Sequence, residues 1–428
     1  MSYAQPASYA VGVAQSDIPS KWMPSSEPRV QSSGSQRIVS IASQNGTVTS
    51  GQPLSFVLPS NMGAGFMVSG SAYIRCTVSV TQVQIAGNQS WAFRQYGSGH
   101  SIFQRMTAVL SGQTAETLES YNKLQSSLLL HCTNGNYISN DDKLLQNTMS
   151  AGFETGQTLT VCIPVNLGCF NAKSHLPLFL LSAAQLQCQL DSAAQAFTSG
   201  TANAITEFSV SNATLIFEQL VPPSEYEQAM RQMLASGKLY QIPINTFYNL
   251  RFANAASITQ NIGLNTSSLK GVFWNVVIGN NSQNSGAFTS AAQTSAYLYL
   301  DGALVSNSNL SSEVEQFAEM NRALNVMSDI TRTSWAPFSV VGLGPAGVAA
   351  PGDFTPAAIT RITYSAGAYL GGLSTSRSDQ AGFSFSGSPV NTAVLQVSNA
   401  GTAGVMYVYC ALQQVLTIDP AGNVNLIR

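Results

Sequence analysis

Val221-Pro-Pro-Ser-Glu-Tyr-Glu-Gln-Ala-Met-Arg-Gln-Met-Leu-Ala-Ser-Gly237 lies almost at the midpoint of a 428-residue chain and carries one of its few clear helix signatures. Pro222 and Pro223 block continuation of the extended segment before them. Ser224 and Glu227 stand at the S-x-x-E spacing of a capping box. Tyr226, Met230, Met233 and Leu234 follow at i, i+4, i+7 and i+8, one apolar stripe at helical spacing. Gly237 takes the place of a C′ glycine, and Pro243 forbids a longer helix. On either side the chain reads as short strands and polar turns. The spacing predicts one helix linking two β-rich halves, with the four stripe residues packed against the base of both.

Working outward toward the N-terminus, Thr214-Leu-Ile-Phe-Glu-Gln-Leu220 and Phe208-Ser-Val210 read as strands. So do Leu186-Gln-Cys-Gln-Leu190, Leu176-Pro-Leu-Phe-Leu-Leu181 and Leu159-Thr-Val-Cys-Ile-Pro-Val165. Tyr73-Ile-Arg-Cys-Thr-Val-Ser-Val80 alternates apolar and polar residues, as a half-buried strand should. Between these, Met106 to Leu110 runs into Ser111-Gly112 and an expected helix from Ala115 to about Leu130, with Leu118, Tyr121, Leu124 and Leu128 on one face. Toward the C-terminus the layout recurs. Phe247 to Leu250, Ile258 to Leu264, Val272 to Ile278 and Tyr297-Leu-Tyr-Leu300 read as strands. Asp301-Gly302 makes a turn, and Ser312 with Glu315 opens a second capped helix. Strands return at Ile359, Phe383-Ser-Phe385 and Ala393 to Val397, and strong alternation closes the chain from Val405 to Ile418.

Strand, glycine and helix thus follow one another around Gly112 and again around Gly302. The fold class expected is all-β: two consecutive eight-stranded jelly-roll sandwiches with a short linking helix and one helix inserted in each half. The divisions are 1–50, an extended N-terminal arm too poor in apolar residues to form a core; 51–221, a first roll; 222–243, linker helix and crossover; 244–420, a second roll; and 421–428, a C-terminal tail.

Charged residues make up 9% of the chain, against roughly 25% in ordinary soluble proteins. Little electrostatic repulsion then opposes association, which suits a surface meant to lie against copies of itself. The net charge is −2. No basic cluster offers phosphates a grip, which argues against direct nucleic-acid binding. No apolar run reaches a membrane span, and the N-terminus lacks the pattern of a signal peptide.

The motifs that could carry chemistry are weak. Gly342-Leu-Gly344-Pro-Ala-Gly347 matches G-x-G-x-x-G, but Val348-Ala-Ala-Pro-Gly352 forbids the helix that a dinucleotide needs there. Cys162, Cys169 and His175 lie near one another without metal-site spacing, and His100 and His131 have no ligand partner in sequence. His131 and Cys132 are adjacent rather than paired as base and nucleophile. Asp141-Asp142 reads as a solvated turn. Tyr407 and Tyr409 share one strand face and suit packing better than sugar stacking. The six cysteines, Cys76, Cys132, Cys162, Cys169, Cys188 and Cys410, sit mostly in apolar strand patterns and read as free thiols. No catalytic residue, cofactor or metal is expected.

Three stretches resemble the double jelly-roll major capsid proteins of the lineage that includes tectivirus-like phages, adenoviruses and polinton-like or virophage-like viruses. They are Ile163-Pro-Val-Asn-Leu-Gly-Cys-Phe170 with the two strands after it, Phe217 through the linker helix to Leu250, and Tyr297-Leu-Tyr-Leu-Asp-Gly302 with its helix. The resemblance is one of layout, over about residues 45–420. It implies a homotrimer whose six rolls make a pseudo-hexameric capsomer tiling an icosahedral capsid in the virion, with penton and minor capsid proteins as partners. It also implies that the arm, through Lys21, Trp22, Met23 and Arg29, runs beneath the shell against neighbours or an internal membrane. The alternative is a secreted or cell-surface β-sandwich binding protein of adhesin or carbohydrate-binding type, which would require a leader. A jelly-roll enzyme would require clustered histidines or carboxylates.

Overall fold

The computed structural model describes residues 34–82, 90–93, 98–132, 143–146, 153–154, 157–199, 205–277, 288–305, 310–324, 369–375, 388–401 and 404–427. In the first half the main strands are β1 (Ser35–Ala42), β2 (Pro53–Leu58), β3 (Tyr73–Gln82), β4 (Phe103–Leu110), β5 (Gln113–Leu118), β6 (Thr158–Pro164), β7 (Ala184–Leu190) and β8 (Ile205–Val221). In the second they are β9 (Tyr240–Ala253), β10 (Ser257–Asn261), β11 (Thr266–Val277), β12 (Ser295–Leu300), β13 (Ala303–Leu304), β14 (Gly371–Ser374), β15 (Ala393–Ser398) and β16 (Val405–Ile418), followed by β17 (Val424–Ile427). The helices of at least two turns are α1 (Tyr121–Cys132), α2 (Ser224–Ala235) and α3 (Glu313–Ala323).

Among the described residues the first half pairs β1–β8–β3–β6 in one sheet and β2–β7–β4–β5 in the other, all antiparallel. The second half pairs β9–β16–β11–β14 and β10–β15–β12–β13. The order is the same with every strand number raised by eight. Such an order, in which strands distant in sequence become neighbours, is that of the jelly roll. Matching turns help set it. Ser111 and Gly112 have φ of 50° and 78°, and Asp301 and Gly302 have 48° and 82°. Two successive residues at positive φ match the twist of a tight hairpin, here β4–β5 and β12–β13.

Burial follows the alternation read from sequence where one sheet face is open. In β3, Ile74, Cys76, Val78 and Val80 are buried, while Arg75 and Thr81 on the other face are exposed. From Gly271 to Val277, β11 is buried on both faces, and its continuous Val272-Phe-Trp-Asn-Val-Val277 run reflects that. Gly372 packs close to Phe273 and the α3 backbone at Met320, and Asn275 bonds to α1, so helices cover the outer face.

Several expectations need correction. The arm assigned to residues 1–50 contains β1, which pairs along its length with β8, so the first roll begins by Ser35. This strand was hidden because it is an edge, with Ile38 74% exposed and only Val39 and Ile41 packed on the core. The helix expected from Ala115 starts at Tyr121, because the tight turn holds Gln113–Leu118 in a hairpin. Leu178–Leu180 is a 3-10 turn, not a strand. The second roll begins at Tyr240, before the expected boundary at 244, and the tail at 421–428 includes β17, which pairs with β16. Residues 1–33, the Gly342–Gly347 motif, Asp141-Asp142 and the strands expected at Ile359 and Phe383 lie outside the described residues.

Candidate functional site

The linking helix differs from its sequence signature at its start. Pro223 is the cap residue and Ser224 is already helical, so Ser224 and Glu227 form no capping box. Glu227 is buried, and its carboxylate accepts the Gly63 N–H at 2.9 Å. This turns the helix so that Leu234 is buried and Met230 is packed against the core, while Met233 is half-buried and Tyr226 is 46% exposed. Tyr226 rests near the Phe66 ring, 6.2 Å between centroids, and Arg231 donates to the Phe179 carbonyl at 2.6 Å. Gly63, Phe66 and Phe179 all belong to the first roll. These contacts moor the helix to the first roll. Ser312 and Glu315, by contrast, form the reciprocal capping box expected at α3.

The two rolls are joined elsewhere, along a buried polar seam that the sequence reading missed. Strand β5 lies against β9 and β17. Glu116 on β5 is 4% exposed and accepts from the Gly168 and Cys169 backbone N–H groups, each at 2.9 Å, and from the Thr246 hydroxyl of β9. Burial raises its pKa above the usual carboxylate value, against the opposing pull of these donors. Asn249 donates to the Glu119 carbonyl. Asn275 of β11 donates to Ser127 Oγ of α1 at 2.9 Å, and Ser127 in turn donates to the Lys123 carbonyl. A Cβ on Gly168 would lie 2.1 Å from the Asn245 carbonyl oxygen, so the β9 backbone passes directly over that glycine. A cavity of about 400 Å³ remains beside the seam, between Tyr121, Leu128, Leu167 and Phe247. The usable signal was a polar residue inside an apolar run, as at Asn275.

Helix α1 explains why so many polar side chains can be buried here. Asn122 donates to Asp191 at 2.7 Å, Ser126 donates to the Asn122 carbonyl, and Gln125 accepts from Asn166 at 2.8 Å. His100 Nε2 meets Ser126 Oγ at 2.8 Å, and burial lowers its pKa to about 3. Asn122, Gln125, Ser126 and His100 each find a partner, which offsets part of the cost of their burial.

The residues weighed for chemistry are dispersed. His131 is buried, and His175 Nδ1 accepts the Ser69 N–H. No cluster of three His, Cys, Asp or Glu among the described residues could hold a metal. All six cysteines are free. Cys76, Cys169, Cys188 and Cys410 are buried, and burial pushes the Cys76 and Cys410 thiols up to about 12. Tyr407 and Tyr409 are both buried, so neither offers an exposed ring for stacking. No described helix is long and apolar enough to cross a membrane.

No family model and no curated protein matches the chain. Solved structures do. The PBCV-1 virus capsid matches with a TM-score of 0.58 at 13% identity, over 92% of this chain and 97% of that one. The Sputnik virophage structure matches at 0.57 and 12% identity, over 100% and 94%. The Faustovirus major capsid protein matches at 0.56 and 8%, over 91% of each. Both rolls fall within these alignments. The chain has the double jelly-roll fold.

Proposed function

We propose that this chain is a viral major capsid protein, a structural rather than catalytic component of the virion. The observation that carries the reading is the repeat of one strand order in both halves, with the halves locked side by side through a buried seam. One chain then supplies two near-equivalent building blocks, and three chains supply the six of a hexagonal tile. The likeness in fold to capsid structures over nearly the whole chain supports it, as does a charge content low enough to let copies lie together. In this reading homotrimeric capsomers tile an icosahedral shell, beside penton and minor capsid proteins. Residues 1–33, with Lys21, Trp22, Met23 and Arg29, contact neighbouring capsomers or an internal membrane. Met230, Met233 and Leu234 seat the linker helix, with Tyr226 at its rim beside Phe66.

Light scattering after size-exclusion chromatography tests the assembly. The purified chain is expected at about 135 kDa, three copies of 45.2 kDa, with a hexagonal outline in negative-stain images. A stable monomer that binds glycans would overturn this reading in favour of a surface adhesin.

A further inference from the structure

The cavity beside the seam is built from both rolls. Leu118, Tyr121, Leu128 and Leu167 of the first roll and Phe247 of the second supply its apolar walls. Asn166, Asn171 and Asn245 also line it and are exposed, so its mouth is polar and uncharged. At about 400 Å³ it falls within the range of small-molecule sites, which are mostly apolar, carry a few polar groups and favour boundaries between domains. An apolar cavity of about 150 Å³ already takes a molecule the size of benzene. This one has room for a ring with a short chain attached.

Two properties of the lining decide what fits. The first is a spare donor. Gln125 is 8% exposed, and its side-chain oxygen accepts from the Asn166 amide at 2.8 Å. Its own amide nitrogen has no hydrogen-bond partner among the described residues. A buried N–H left without an acceptor costs free energy that an incoming carbonyl oxygen would recover. The second property is charge. Among the described lining residues there is no lysine or arginine. Burial lowers the His100 pKa to about 3, so its ring is neutral at pH 7. The Glu116 oxygens are already occupied by the Gly168 and Cys169 N–H groups and the Thr246 hydroxyl. An anion entering here would give up its hydration without meeting a cation.

We infer that this cavity is a binding site for a small uncharged molecule with an apolar body and a hydrogen-bond acceptor. The acceptor takes the free Gln125 amide N–H, and the body lies among Tyr121, Leu128 and Phe247. Phe247 belongs to the second roll and the other two to the first, so the bound molecule adds a bridge to the seam. The site lies within one chain, and the inference therefore goes beyond the capsomer reading without depending on it.

Ligand-observed NMR titration of the full chain with two probes tests it. N-butylbenzamide offers a ring, a butyl chain and a neutral carbonyl, whereas 4-butylbenzoate offers the same ring and chain with a carboxylate. The amide is expected to bind with a dissociation constant of about 1 mM or tighter, as ligands of its size do. The carboxylate is expected to bind at least tenfold more weakly. Gln125→Met keeps the length of the side chain without the donor and should weaken binding of the amide at least threefold. Leu128→Trp fills the cavity and should abolish it, with circular dichroism confirming the fold. If Leu128→Trp does not fold, Gln125→Met decides alone. Unaltered chain that leaves N-butylbenzamide free at several millimolar would overturn the inference. So would equal binding of the two probes, or undiminished binding by Gln125→Met. None of these readings concerns the trimer, so either conclusion can fail while the other stands.

Discussion

His100 shows how a single buried residue ties stability to pH. Its ring meets Ser126, its backbone N–H donates to Gln146, and burial holds its pKa near 3, with the Lys123 charge adding to the shift and the Gln146 hydrogen bond opposing it. In the unfolded chain the group returns to about 6.5. A depressed folded pKa means that stability is fully present above 6.5 and is lost as pH falls toward 3, by about 1.4 kcal/mol per pH unit. Glu116 acts in the opposite sense. Its raised folded pKa adds stability as pH falls through that value toward 4.5, partly offsetting the histidine. His100→Gln removes one side of this balance. Urea midpoints at pH 7, 6 and 5 should fall for the unaltered protein by more than for the variant. Parallel curves would mean that His100 is not buried neutral.

At the scale of elements, the question is what fixes one roll against the other. The linker helix makes its close contacts with the first roll, whereas the seam brings β5, α1 and the loop at Gly168 onto the second. Gly168→Ala would drive a Cβ into the Asn245 carbonyl and is expected to cost about 1–3 kcal/mol, as overpacking typically does. Met230→Ala trims a partly buried side chain with room to relax, and should cost about 1 kcal/mol or less. Thermal unfolding of the two variants ranks them, and a larger loss at Met230 would return the orienting role to the helix. The sequence misled here for a definite reason. Tyr226, Met230, Met233 and Leu234 share helical spacing, but a Gly63 N–H drew Glu227 inward and left Tyr226 outside. Similarly, Ala115, Leu118, Tyr121 and Leu124 fit a helix period, yet the Ser111-Gly112 turn claims the first two for a hairpin. Strands with one open face, such as β3 and β7, were legible because alternation records burial directly. Seam residues such as Thr246 and Asn249 were not, because a hydrogen bond between distant segments leaves no local pattern.

At the scale of the whole molecule, the repeat was legible in outline from Gly112 and Gly302, but the strand that completes the first roll was not. Residues 35–42 look like more of a polar arm, and only pairing with β8 reveals their place. This divides the N-terminal region into two parts with different duties. Residues 1–33 precede the first roll, whereas β1 supplies Val39 and Ile41 to its core and carries the exposed Ile38. Two truncations should therefore behave differently. Removing residues 1–33 is expected to leave trimers intact by light scattering but to lower the yield of closed shells seen by electron microscopy, on the proposal that the arm's contacts lie between capsomers. Removing residues 1–42 also strips β8 of its edge partner along Thr214–Val221 and exposes apolar surface. That protein should unfold at a lower urea concentration than the shorter truncation. If the shorter truncation already dissolves the trimer, the arm holds chains together within the capsomer and its assignment to contacts between capsomers is wrong. If the two truncations unfold at the same urea concentration, the pairing of β1 with β8 adds nothing to the first roll.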